Sequence, residues 1–97
     1  MNRPRRTRRD ANQAQIKKEL EDTVGALVYD LADMGGTVLD LLVCWRGKCI
    51  PVEIKRPGCR EELTKGEREG IALLERVGVK AIVAESTEEI LQAWEDQ

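Results

Sequence analysis

Val38-Leu39-Asp40-Leu41-Leu42-Val43-Cys44-Trp45, then Arg46-Gly47, then Lys48-Cys49-Ile50-Pro51-Val52-Glu53-Ile54-Lys55 is the stretch on which the fold turns. Its first part is an apolar run broken only by Asp40, Arg46-Gly47 is a turn signal, and the remainder returns as a second strand. With Arg46-Gly47 closing a hairpin, cross-strand partners are residues whose numbers sum to 93: Trp45 with Lys48, Cys44 with Cys49, Asp40 with Glu53. Side chains alternate along a strand, so Leu39, Leu41, Val43 and Trp45 share one face and Asp40, Leu42 and Cys44 the other. A slip of one residue would put the paired side chains on opposite faces. The register thus predicts two carboxylates side by side, roughly 5 Å apart at Cβ, with Lys55 on the same face as Glu53.

Working upstream, Asp10-Ala11-Asn12-Gln13 has the pattern of a capping box, and Ile16, Leu20 and Val24 then recur at helical spacing up to Gly25. Ala26 to Asp33 reads as a strand, ended by Gly35-Gly36. Downstream, Arg56-Pro57-Gly58 is a loop, and Thr64 with Glu67 is a second capping box. Its helix should turn Ile71, Leu74 and Val77 inward and stop near Gly78. Val79 to Ala84 is a short β-branched strand, and Ser86-Thr87-Glu88-Glu89 opens a last helix with Ile90, Leu91 and Trp94 on its apolar side. Strands that are apolar on both faces are covered on both, so we expect an α/β/α sandwich around a mixed four-stranded sheet in the order αβββαβ(α).

The chain has 97 residues, enough for one domain and one small core that a partner subunit would help. Its formal charge of −2 hides an asymmetry. Arg3, Arg5, Arg6, Arg8 and Arg9 give residues 1–9 a charge of +5, leaving 11 basic against 18 acidic residues, a net −7, in residues 10–97. We therefore divide the chain into a basic flexible arm, residues 1–9, and a single domain, residues 10–97. The absence of histidine excludes imidazole-based triads and HExxH zinc sites, leaving carboxylates, lysine or metal for any catalysis. No apolar run is long enough to span a membrane, and no apolar h-region follows the arginines. With Cys44, Cys49 and Cys59 odd in number and without CxxC spacing, we expect a cytoplasmic protein with free thiols, the alternative being a cross-strand disulfide between the directly opposed Cys44 and Cys49.

Glu53-Ile54-Lys55 alone could be a solvated ion-pair face. Asp40 in register changes the balance, because charges in apolar strands are rarely kept without a partner or a metal. Two close carboxylates repel unless a cation sits between them, and hard divalent ions take oxygen ligands. A nearby lysine can orient water or stabilise charge at a phosphorus centre. The array suits metal-assisted phosphodiester hydrolysis.

Asp40, twelve intervening residues, and Glu53-Ile54-Lys55 within this element order resemble the PD-(D/E)XK nuclease superfamily, and most of all the small stand-alone VRR-NUC (virus-type replication-repair nuclease) proteins of phages, relatives of Holliday-junction resolvases. Arg8-Arg9-Asp10-Ala11-Asn12-Gln13, Gly35-Gly36 before Asp40, and Leu63-Thr64 followed by Glu67 are similar to segments of those proteins. The resemblance implies a restriction-endonuclease-like core. It implies Mg2+ or Mn2+ held by Asp40, Glu53 and the main-chain carbonyl of Ile54, with Lys55 acting on water and Gln13 reaching the site from the first helix. It also implies branched DNA as substrate, RNA being the other polymer of the same chemistry, and the host cytoplasm if the chain is phage-encoded. Two positions depart from the pattern: Leu39 stands where the family has the proline of its Pro-Asp, and Gln15 where related proteins often have Glu, which removes an acid for a second metal.

Gln13 has a second reading as the capping amide, and Glu67 is read first as a helix cap. Arg5, Arg6, Arg8 and Arg9 of the arm, with Arg46, Lys48, Arg56 and Arg60, are the expected phosphate contacts. Pro51 should face away from the second strand's ladder, leaving a bulge or a missing bond toward the fourth strand. Trp45 and Trp94 are read as core or dimer contacts, since three aromatic residues are too few for a stacking platform. A homodimer would supply two sites for two strands and relieve the small core.

Overall fold

The central hairpin forms at the expected register in the computed structural model of the protein, which describes residues 11–97. The arm, with Arg5, Arg6, Arg8 and Arg9, and the Asp10 cap lie outside the described residues. β2 (Leu41–Trp45) and β3 (Lys48–Ile54) are antiparallel, with Trp45 opposite Lys48 and Cys44 opposite Cys49. Arg46 (φ 51°) and Gly47 (φ 79°) both take the left-handed region, the conformation whose twist matches a two-residue hairpin. Upstream, β1 (Leu27–Asp30) is antiparallel to β2; downstream, β4 (Ile82–Ala84) is parallel to β3. The mixed sheet has the order β1-β2-β3-β4.

β1 is shorter than expected because Asp30 Oδ1 accepts the Ala32 amide at 3.0 Å, a local turn that takes the chain off the ladder. β4 is shorter too. It pairs with β3 only from Val52 onward, so Pro51 lies ahead of that ladder and neither a bulge nor a missing bond is required.

Among the described residues, three helices flank the sheet. α1 (Ala11–Glu19) continues into a π-helical turn, Leu20–Val24, which the spacing of Ile16, Leu20 and Val24 did not reveal. The amides of Gly25 and Ala26 converge on the Leu20 carbonyl, and Gly25 (φ 73°) makes the reversal. α2 (Lys65–Arg76) and α3 (Thr87–Glu95) begin at Thr64 and Ser86, whose hydroxyls accept the amides of Glu67 and Glu89.

The main core lies on one face of the sheet. Ile16 and Leu20 from the first helical segment and Ile90 and Trp94 from α3 pack on Val28, Leu41, Val43, Ile50, Val52, Ile54, Ile82 and Ala84. Leu20, Leu41 and Ile90 are at most 1% exposed, and burying each stabilises the fold by about 1.5–3 kcal/mol. Trp94 meets Trp45 at 5.7 Å between ring centroids, so both tryptophans belong to the packing.

α2 lies over the opposite face and is held differently. Only Gly70 of its residues is buried. The expectation that Val77 turns inward is corrected: it is 75% exposed, while Ile71 and Leu74 are half-buried. The helix rests on the Gly36–Thr37 backbone through Gly66 and Gly70, where a Cβ would stand 2.6 Å from the Gly36 oxygen and 2.1 Å from the Thr37 oxygen.

The expected free thiols are also corrected at two of three positions: Cys44 and Cys49 form a disulfide, while Cys59 is free. In a two-residue hairpin the pair next to the closing pair is the closely spaced kind, and these Cα atoms are 3.9 Å apart. No helix among the described residues is long and apolar enough to cross a membrane.

Candidate active site

The carboxylates meet where β2 begins and β3 ends. Asp40 sits in the bend just before β2, and its Oδ2 accepts the Ile54 amide at 2.9 Å, fastening the start of one strand to the end of the next. Its backbone is fastened as well, the carbonyl accepting the Leu31 amide at 2.7 Å. Glu53 is 2% exposed although it carries a carboxyl group. Lys55 follows on the same face, 3.6 Å from Glu53 Oε2 and 2.9 Å from Glu67 Oε1. Asp40, Glu53 and Lys55 therefore come together as expected, but the expected strand from Val38 is corrected: the ladder ends at Leu41 opposite Val52, and Asp40 joins the site through its side-chain bond to the Ile54 amide.

Glu67 joins them and also completes the capping box of α2, since the Oε1 that meets Lys55 accepts the Thr64 amide at 2.9 Å. The helix cap and the site contact are one carboxylate. The Thr64-to-Glu67 spacing specifies the cap, whereas proximity to Lys55 depends on where α2 lies against β3 and is not readable from that spacing.

Electrostatics follow from this crowding. Burial, then a hydrogen bond with Glu67, then the charges of Asp40 and Glu67 push the Glu53 carboxyl up to about 9, against the opposing pull of Lys55. Burial also raises Asp40, partly offset by the Ile54 amide. For Glu67, burial works upward but is outweighed by hydrogen bonds from Glu53, Lys55 and the Thr64 amide, and its pKa is lowered. For Lys55, burial works downward but is outweighed by Glu67, Glu53 and Asp40, and its pKa is raised. At neutral pH Glu53 holds a proton, beside a Glu67 carboxyl that is held low and a Lys55 ammonium that is held charged.

That proton marks a place where anionic oxygens outnumber cations. Asp40, Glu53 and the Ile54 carbonyl are the oxygen donors a hard dication takes, and in that chemistry they fit Mg2+ or Mn2+. Among the described residues, no group of three or more His, Cys, Asp or Glu side chains is set to hold a metal ion. The hydrogen bonds explain this, because Asp40 Oδ2 is turned to the Ile54 amide and Glu67 to Lys55 and the Thr64 amide.

Gln13 is 4% exposed on α1, and its Nε2 donates to Asp30 Oδ1 at 3.2 Å. By strand alternation Asp30 leaves the sheet on the α1 face with Val28, while Glu53 and Lys55 leave it on the α2 face. Asn12, beside it, donates to the carbonyls of Lys55 (3.1 Å) and Glu85 (3.3 Å), bolting α1 to the segment that carries the lysine. Asn12 and Asp30 were missed. For Asp30 the signal was available, an acid closing the apolar run Leu27-Val28-Tyr29, as at Asp40.

The expected phosphate contacts disperse. Arg46 stacks on Trp45 at 4.4 Å and pairs with Glu95, and Lys48 is beside it at the turn. Five or six residues of strand separate that turn from the carboxylates, about 17–20 Å. Arg60 is engaged by Glu89 at 2.6 Å, by Glu85 and by the Val83 carbonyl. Arg56 is exposed one residue beyond Lys55, the nearest to the site of the four in sequence.

Comparison of the chain with protein-family models, with curated proteins and with solved structures finds no match in any of the three. The class that fold and site define is a mixed α/β domain with a carboxylate–lysine cluster at the strand ends.

Proposed function

We propose that the protein is a divalent-metal-dependent nuclease with a PD-(D/E)XK core of the VRR-NUC type. It would hydrolyse phosphodiester bonds in branched DNA, such as a Holliday junction, in phage replication, recombination or repair, working as a homodimer. The observation that carries this reading is the meeting of Asp40, buried Glu53 and Lys55 on one face at the strand ends, with Lys55 held by Glu67. Asp40, Glu53 and the Ile54 carbonyl would hold Mg2+ or Mn2+, which when bound supplies Lewis-acid polarisation of a phosphate oxygen. Lys55, its pKa raised, stays cationic at neutral pH. It therefore acts by orienting water or a phosphate oxygen and by stabilising negative charge, and not as a general base. Gln13, through Asp30, and Asn12, through the Lys55 carbonyl, seat α1 against the two strand ends. Arg56 and the arginines of residues 1–9 are the nearest candidates for backbone phosphates.

The test is a cleavage panel of linear, nicked, flapped and four-way DNA, with RNA counterparts, under Mg2+ and Mn2+. Asp40→Ala, Glu53→Ala and Lys55→Ala should each lower cleavage by a factor of about 100 or more, the scale of losing one preorganised charged group. Equal cleavage by the triple variant ends the proposal.

A second reading, a nucleic-acid-binding module without catalysis, is favoured by one observation: Lys55 is already paired with Glu67. Binding that is insensitive to EDTA, with no product under Mn2+, would select it.

A further inference from the structure

The Cys44–Cys49 bond stands where the sheet narrows. Cys44 is the last residue of β2 with a partner on β1, and β3 meets β4 only from Val52 onward, so at Cys49 and beyond the two central strands have only each other. That ribbon ends in Trp45-Arg46-Gly47-Lys48, a tip with two cations, and no acid stands anywhere between Leu41 and Val52. The sulfurs lie on the face turned away from the main core, since Trp45, one residue on, meets Trp94 on the core side. Cys49 is exposed and Cys44 half-buried. Leu27, opposite Cys44 on the same face, is 54% exposed, so this end of the face is open to water.

We propose that Cys44–Cys49 is a thiol-exchange site, opened by a dithiol reductant, and that its state sets how firmly the basic tip is held. Stability is not what the bond chiefly supplies. It spans a sequence separation of 5 around a two-residue turn that already fixes the register, and the entropy a crosslink removes grows with the loop it closes. Its position supplies access, and exposed disulfides are the ones that exchange. An attacking thiolate is an anion, and the exposed Arg46 and Lys48 favour its approach. The attacker must come from outside the molecule. Cys59 is free, but the Gly58 amide pins its loop to Glu85 at the other end of the strands, about 20 Å of β3 away.

The more exposed sulfur, that of Cys49, takes the attack. A bond forms from the reductant's sulfur to Cys49 Sγ, the Cys44–Cys49 bond breaks, and Cys44 leaves as a thiolate that takes up a proton. The reductant's second thiol then attacks its own sulfur in the mixed disulfide and releases Cys49. Two electrons and two protons have passed to the hairpin, and the reductant has become a disulfide. With the staple open the ribbon keeps its turn but loses the crosslink beside it, and two-stranded ribbons are weakly held. The inference goes beyond the nuclease reading and needs none of its carboxylates.

The experiment uses the full oxidised chain in native buffer, with dithiothreitol as the dithiol probe. Cys44 and Cys49 should become alkylatable within minutes while circular dichroism stays unchanged. Hydrogen exchange at the amides of Trp45 and Lys48, which face each other in the closing pair, should then quicken about tenfold. The Ile54 amide, held by Asp40, should not change. Reduced glutathione, a monothiol, should leave an adduct that peptide mapping places on Cys49 and not on Cys44. Cys44→Ala and Cys49→Ala together should show the fast exchange with no reductant present. Three alkylatable cysteines before any reductant is added, a bond that opens only in urea, an adduct on Cys44, or tip exchange equal in the oxidised and reduced forms overturns the proposal. Cleavage does not enter these readouts: an inactive protein that passes them sinks the nuclease reading alone, and an active one that fails them sinks this proposal alone.

Discussion

Lys55 Nζ lies 2.9 Å from Glu67 Oε1, and that same oxygen accepts the Thr64 amide at 2.9 Å. One carboxylate oxygen thus closes the cap of α2 and fixes the direction of the lysine. Two substitutions separate these duties. Thr64→Ala removes the hydroxyl cap and should cost about 1 kcal/mol of stability while leaving the ion pair. Glu67→Gln keeps a capping amide oxygen but loses the charge facing Lys55. It should leave stability within about 0.5 kcal/mol and lower kcat about tenfold with KM little changed, the pattern of a lost transition-state contact. Equal effects of both variants on kcat and Tm would make Glu67 a helix cap only.

Glu53 predicts a stability that falls as pH rises. Its folded pKa, about 9, lies above the ordinary value of 4.5, so the folded state binds the extra proton. Stability from this group is complete below pH 4.5 and is lost progressively up to about pH 9. Glu67 works the other way, its lowered pKa adding stability that is lost in acid. Glu53→Gln should remove the alkaline decline and be more stable than wild type at pH 9 by on the order of 2 kcal/mol, the cost of an uncompensated buried group. Urea titrations at pH 5, 7 and 9 measure it; parallel pH profiles for the two proteins would refute the assignment.

A dication that replaces the Glu53 proton should stabilise the fold. At a Mg2+ or Mn2+ concentration of about 100 times Kd the gain is about 2.7 kcal/mol, visible as a rise in Tm that EDTA reverses. Asp40→Asn and Glu53→Gln should abolish the rise. An equal rise in both variants would place the ion elsewhere.

Gly70 reverses the usual rule for helical glycines. Alanine at an unconstrained position gains about 0.5–1 kcal/mol, but a Cβ here would lie 2.1 Å from the Thr37 carbonyl oxygen, which is backbone and cannot swing aside. Gly70→Ala should lose roughly 1–3 kcal/mol, the cost of overpacking, and should also reduce cleavage, because the helix that must retreat carries Glu67. A neutral or stabilised Gly70→Ala would show that α2 is not seated on this loop.

The Cys44–Cys49 bond predicts an intact mass two hydrogens below that of the reduced chain when thiols are blocked without reductant. Replacing both by alanine should cost about 1–2 kcal/mol, less than the loop-closure value because the turn already holds the hairpin. Alkylation of all three cysteines in untreated protein would exclude the bond.

The hairpin was legible because a two-residue turn leaves one register, and alternation then assigns every side chain to a face; Asp40, Glu53 and Lys55 followed by counting. Helix starts were legible for the same local reason, with Thr64 and Ser86 each answered by an acid three residues on. At Ser86 the agreement was partial: the Glu89 amide donates to the Ser86 hydroxyl as a cap requires, but the Glu89 carboxylate accepts the Glu85 amide, one residue before the cap.

The sequence by itself determined the strand register, the two capped helices α2 and α3 and the pairing of two acids with a lysine, because each depends on a few adjacent residues and the short range of backbone geometry. Tertiary structure alone decided that Glu67 reaches Lys55, that Gln13 meets Asp30, that Arg60 is absorbed by Glu85 and Glu89, and that Val77 is left bare. Periodicity shows which side of a helix is apolar, but not how far the surface beneath it extends. For α2 that surface ends at Thr37, and the second half of the stripe is exposed.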